Sequence, residues 1–414
     1  MSTNRWRGDA APVAQVDTIT IGSATSTETF TVTISTKTIT YTAGSGETTT
    51  TVATALAALL TAARASIPEF AEVLFTSASA AITATAATPG VPFTLSVGGT
   101  GTISLSHTTA SSGPNHADAT ANWTLGALPT TADDVIIDGG ADLLWGLGNV
   151  GTPALGSWKV KASFTGQIGL PLFHAPSGFG TGAGYLEYRT RHYPVASAVP
   201  ITIGEGAGAG PRRVNINSGN TLAMVVKATG ARVSDAAPAV NVIGSTGGTL
   251  SIAGGDVGIA AEDDTTSATV ATVNLGAAKT GKLAIGVGAT ATTVNQDGGT
   301  LTAASAIGTL NQRGGTATLY AAPTTLTSDG GAVNWSGTGT ITTATFRGQT
   351  GTAKPPTLDV TGDPRAKTIT NGSFTGGAVL IDTDKSVTFT NPLTFDRASL
   401  AGSDLGARMT LTRS

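Results

Sequence analysis

The sequence predicts a mainly β chain in which a small α+β N-terminal domain precedes a single-stranded parallel β-solenoid, and three observations carry that expectation. The first is a phrase that returns. Val294-Asn295-Gln296-Asp297-Gly298-Gly299-Thr300-Leu301 is followed by Leu310-Asn311-Gln312-Arg313-Gly314-Gly315-Thr316-Ala317, then by Leu326-Thr327-Ser328-Asp329-Gly330-Gly331-Ala332-Val333. The interval of 16 residues is too short for a two-helix repeat, which needs roughly 33 to 47, and suits one turn of a solenoid. The second is composition: charged residues are only 12% and aromatics 5%, while Val, Ile and Leu recur inside Thr-rich segments, as in short strands. The third is a denser stretch between Val16 and His107, where alternating apolar and polar runs surround one helical pattern.

Each repeat unit has a physical logic. Val294, Leu310 and Leu326 should point inward, a Gly-Gly corner tolerates positive φ, and Thr300, Thr316 or Ala332 opens the next strand. Stacked turns place equivalent residues in ladders about 4.8 Å apart. Asp297, Arg313 and Asp329 then form a structural ladder of alternating charge. At an exposed corner each such pair is worth about 0 to 1 kcal/mol.

Residues 1–15 read as an extended arm with Trp6 and Arg7 as candidate interface residues, Trp6 docking on a neighbour or on its own chain. Arg7-Gly8-Asp9 spells an adhesive tripeptide, a pattern that arises easily by chance. Residues 16–107 contain the strand patterns Ile19-Thr20-Ile21, Phe30 to Ile34 and Thr38 to Tyr41, with Ser35-Thr36-Lys37 as a turn. Val52, Ala55, Leu56, Leu59, Leu60 and Ala63 then mark one amphipathic helix facing the sheet. Three further strands are expected around residues 71–76, 81–86 and 93–97. This order of strand, hairpin, helix and strands resembles small domains of bacteriophage tail and other virion proteins, which implies a docking role for it.

Residues 108–118 are a linker by composition. Next come Asn122-Trp123, Gly126, Pro129-Thr130 and Asp133-Asp134-Val135-Ile136-Ile137. This stretch resembles the entry segment of bacterial and viral surface proteins with right-handed parallel β-helices, of the kind found in pectate lyases. The resemblance implies an entry cap formed by Trp123, Asp133 and Asp134, covering an end whose unpaired edge would otherwise recruit another chain. The β-helix is expected over residues 119–391, in about 14 to 16 turns and a rod of roughly 70 Å. Gly166 to Arg191 interrupts it, and Tyr185, Tyr188 and Tyr193 make this stretch a second candidate interface, or a segment that packs along one solenoid face. Residues 392–414, with Asp396, Arg397, Asp404, Arg408 and Arg413, are expected to cap the far end.

Several function classes are disfavoured. A net charge of -3 and the lack of a Lys/Arg cluster argue against nucleic-acid binding. Arg212, Arg213, Lys227, Arg232, Lys279, Lys282 and Arg313 show little grouping along the chain. There is no cysteine, and no apolar run approaches the roughly 18 residues of a membrane span, so no membrane insertion is expected. His107, His116, His174 and His192 lack ligand spacing, and no phosphate-loop lysine follows the Gly-Gly corners, so no metal and no cofactor is expected. Parallel β-helices also host glycosidases and lyases, which need carboxylates about 5 to 9.5 Å apart. Asp133, Asp134, Asp138 and Asp142 near the entry, and the Glu262-Asp263-Asp264 loop, are the candidates. The entry pair reads as turn caps and the loop as solvated, with a cation as its alternative role; no catalytic residue is assigned.

The expectation is a non-enzymatic structural protein of a tailed-phage virion, a head decoration protein or a tail fibre or spike. It would dock by its N-terminal region and associate as a trimer or another symmetric oligomer. Its partners would be other capsid or tail proteins, with a host-surface glycan as an outside ligand. The polar N-terminus has no secretory h-region, which suits assembly in the host cytoplasm and display on the virion surface. The alternatives are a cell-surface adhesin or matrix β-helix and a polysaccharide-degrading tailspike.

Overall fold

The computed structural model describes residues 2–150, 153–195, 198–233, 237–278, 280–348 and 354–405. Arg408, Arg413 and Lys279 lie outside the described residues. The fold is mainly β, with 24 strands in one long parallel system. Most strands pair with the one two places on; the long strand Ala332–Arg347, which covers both faces, also pairs with its sequence neighbours. A coil produces this pattern, because each turn lays one strand on each of two faces. On one face, strands such as Ala289–Gln296, Ile307–Gln312 and Thr325–Ser328 stack in register. On the other, Lys282–Ile285, Thr300–Ala303 and Thr316–Ala321 do the same.

Val294, Leu310 and Leu326 lie in one register column and are fully buried, so the 16-residue interval is one coil. The corners need glycine. Gly299, Gly315 and Gly331 have φ of 66°, 81° and 90°, and a Cβ on Gly315 would sit 2.3 Å from the Gly299 carbonyl oxygen of the coil below.

A second inward column runs the length of the first face. It rises through Ile137, Val160, Ile203, Val226, Ile252 and Leu275, continues as Gln296, Gln312 and Ser328, and closes on Phe346, Phe374 and Phe395. The polar section is satisfied internally. Gln312 Nε2 donates to the Ala332 carbonyl at 3.0 Å, and Ser328 Oγ donates to Gln312 Oε1 at 3.1 Å. The aromatic section stacks at centroid distances of 5.0 and 5.2 Å. Among the described residues the column counts twelve coils, fewer than expected, for a stack of roughly 55 Å. Apolar runs such as Arg213–Asn217 and Leu222–Val226 are not successive turns but the two faces of one coil.

The arm closes the N-terminal end. Thr3–Arg5 pairs in parallel with Asp134–Ile137, so the first strand of the stack comes from the start of the chain. Its outer edge is then covered, since the Arg5 N–H donates to Thr124 Oγ1 at 2.9 Å and the Arg7 N–H to the Asn122 carbonyl at 2.7 Å. The outward backbone groups of Arg5 and Arg7 are thereby paired.

The stretch from Val16 to Thr109 has its own apolar cluster. One antiparallel sheet orders Val73–Ala78, Ala81–Ala86, Val16–Ile21 and Ile103–Thr109; another orders Lys37–Thr42, Thr29–Ile34 and Leu95–Gly99. Helix Thr49–Ala63 starts at a Thr48 capping box and buries Val52, Ala53, Leu56, Ala57, Leu60 and Ala63. The buried face is rotated from the expected one. Leu59 stays 42% exposed, because the two alanines allow the closer approach to the sheet.

Residues 108–118 are not free chain. Val13 bridges to Ser112 and His116 to Trp145, and His116 and Ala117 are buried. The two ends of the Val16–Thr109 unit therefore leave the solenoid side by side. At the far end, helix Arg397–Gly402, capped by Asp396, packs beside the last coils.

Candidate functional site

The entry residues organise the closed end. Trp6 and Trp123 are both 2% exposed and meet edge to face at 5.2 Å. Trp6 Nε1 donates to the Ala141 carbonyl at 2.7 Å, and Trp123 Nε1 to the Ala117 carbonyl at 2.8 Å. Trp6 is thus spent on its own chain, whereas the Arg7 side chain is exposed. Asp133 accepts from the Thr130 N–H and hydroxyl at 2.8 and 2.9 Å, which is a turn cap. Asp134 accepts from Ser157, Asp138 pairs with Arg5, and Asp142 accepts from the Gln167 N–H at 2.9 Å.

The tyrosine-rich segment forms a clasp. Glu72, from the Val16–Thr109 unit, lies 2.6 Å from His174 Nε2, accepts from the Tyr185 hydroxyl at 2.9 Å and faces Arg189 at 3.3 Å. Arg189 donates to Glu187 at 2.7 Å and to the Pro92 carbonyl at 2.7 Å, and its guanidinium lies 4.7 Å from the Trp145 ring centre and 5.2 Å from that of Tyr188. Tyr188 in turn accepts from the Thr94 N–H at 3.2 Å. The segment thus ties the N-terminal unit to the solenoid. Burial pushes the Glu72 carboxyl up, but the His174 hydrogen bond and the Arg189 charge outweigh it and hold it below the usual range. Burial raises both the Tyr185 and Tyr188 phenols. Tyr193 lies elsewhere, 2% exposed and 5.1 Å from Trp158 inside the first coils.

The acidic loop is a correction to the solvated reading. Arg191 reaches it at 3.1 Å from Glu262 and 2.9 Å from Asp263, whose side chains are 3% and 10% exposed; only Asp264 is exposed. Burial pushes Glu262 up, while Asp263, with burial outweighed by the Arg191 and Thr265 hydrogen bonds, falls to about 2. His192 sits 3.8 Å from Glu262, too far for a hydrogen bond, and burial beside Arg191 lowers it to about 4. His107 pairs with Asp17, and His116 lies 2.9 Å from the Gly90 carbonyl. Among the described residues no cluster of metal-ligating side chains forms, and no helix is long and apolar enough to cross a membrane.

In the charge ladder, Arg313 pairs with Asp297 at 2.9 Å, but Asp329 pairs with Arg347 of the following coil at 2.9 Å. Sequence reasoning missed Glu72, Trp145 and Arg189. The signal was Glu187-Tyr188-Arg189-Thr190-Arg191, a charged run in a chain poor in charge.

No protein-family model matches the chain, and a search of curated proteins finds no match.

Proposed function

We propose that the chain is a structural component of a tailed-phage virion. It docks through a compact α+β domain near its N-terminus and presents a stiff right-handed parallel β-helix at the particle surface, as a head decoration or a tail fibre or spike. The observation that carries this reading is the clasp: the Val16–Thr109 unit is held to the solenoid by Glu72, Tyr185, Tyr188 and Arg189, so a docked unit would aim the rod. The mechanical role is further supported by the candidate carboxylates. Asp133, Asp134, Asp138, Asp142, Glu262 and Asp263 are all engaged within the chain. Self-association as a trimer or another symmetric oligomer belongs to the same reading.

Electron microscopy of the full-length protein mixed with the particle fraction of its host culture tests this. Regular attachment to capsids or tails as rods of roughly 55 Å is the expected outcome. Rods that ignore particles would overturn it.

A further inference from the structure

Cations scattered along the sequence are gathered by the coil at one corner. Lys227 follows strand Leu222–Val226, Arg232 lies on the loop beyond it, and Lys282 opens strand Lys282–Ile285 directly above Asp256. All three line a cleft of about 530 Å³ with Thr229, Thr280 and the bare backbone of Gly254 and Gly255. That size is in the usual range of ligand pockets.

The local charge is positive on a chain whose net charge is -3. Glu205 is shared by Lys161 at 2.6 Å and Lys227 at 2.9 Å, and Asp256 is taken by Arg232. Among the described residues, Lys227, Arg232 and Lys282 line the cleft with one carboxylate, Asp256, and the Lys161–Glu205 pair adjoins it through Lys227. Lys282 is exposed and makes no ion pair among the described residues. Hydrogen bonds from Lys161 and Lys227 hold the Glu205 carboxyl down to about 2.

We propose that this corner binds an anionic group carried on a carbohydrate, a sulfate, phosphate or carboxylate held by Lys227 and Lys282. The two ammonium groups meet the anion. Thr229 and Thr280 flank it with hydroxyl partners for the sugar. Nucleic acid fits less well, since among the described residues no aromatic side chain lines the cleft for base stacking. The assignment rests on the corner alone and stands whether or not the protein belongs to a virion.

The test is retention of the full-length protein on beads bearing dextran sulfate, polygalacturonate or phosphorylated dextran, with neutral dextran as reference. Retention on at least one anionic bead, lost with rising salt, is expected, and the bead that retains it best identifies the anion. Lys227→Gln/Lys282→Gln should weaken retention about tenfold and flatten its salt dependence. Both side chains are exposed and Lys161 still holds Glu205, so the fold is expected to survive, which a thermal melt checks. Lys37→Gln/Arg7→Gln, removing equal charge elsewhere, should leave retention intact. No preference over neutral dextran, or equal loss in the two double variants, would overturn the assignment.

Discussion

At the scale of single residues, conformation outweighs surface charge. Arg313 and Asp297 are paired but exposed, so Arg313→Ala should cost less than about 1 kcal/mol. Gly315→Ala meets both a positive φ and a carbonyl at 2.3 Å, and should cost more than about 2 kcal/mol. Thermal melts of the two variants decide it; an equal effect would mean that the corners relax freely. His192 offers a pH readout. Its folded-state value near 4 lies below the unfolded value of about 6.5, so the unfolded chain binds the proton first as pH falls. Stability that is present above about pH 6.5 is lost toward pH 4, by at most roughly 3 kcal/mol. Glu262 is shifted up and works in the opposite direction, so the comparison must be with His192→Asn, whose stability should fall less over that window.

At the scale of elements, the clasp turns an irregular segment into a joint. The Arg189 side chain is only 7% exposed and sits between Glu72 and Glu187. Removing it leaves Glu187 buried without its cation and Glu72 with His174 alone. Arg189→Ala should destabilise the joint by roughly 3 to 5 kcal/mol. Hydrogen exchange should then accelerate around Glu72, Thr94 and residues 172–189 while the coils from Val294 onward stay protected. Uniform acceleration would show that the clasp and the stack unfold as one unit.

At the scale of the whole molecule, the Val16–Thr109 unit is an insertion between the first strand of the stack and the rest of it. Val13 and Ser112 are hydrogen-bonded neighbours at 2.7 Å. Replacing residues 14–111 by a short Gly-Ser loop should therefore leave a folded rod, detectable by its strand circular dichroism and by an elongated scattering profile. Deleting residues 1–111 outright should instead expose Trp123 and the strand edge at Asp134, and the product should self-associate. If both deletions behave alike, the arm is not the cap.

What the sequence determined by itself was local and periodic. The 16-residue phrase placed Val294, Leu310 and Leu326 inside and glycine at the corners, because a coil repeats the same requirement at every turn. The hairpin turn at Ser35–Thr36 was equally legible, since its two strands are neighbours in the chain. Only the tertiary structure decided that Trp6 meets Trp123, that Glu72 meets Tyr185 and Arg189, and that Lys227, Arg232 and Lys282 share a cleft. These meetings span tens to more than a hundred residues and occur once. No period announces them, and the partners are set by which coil the chain has reached when it returns to the same face.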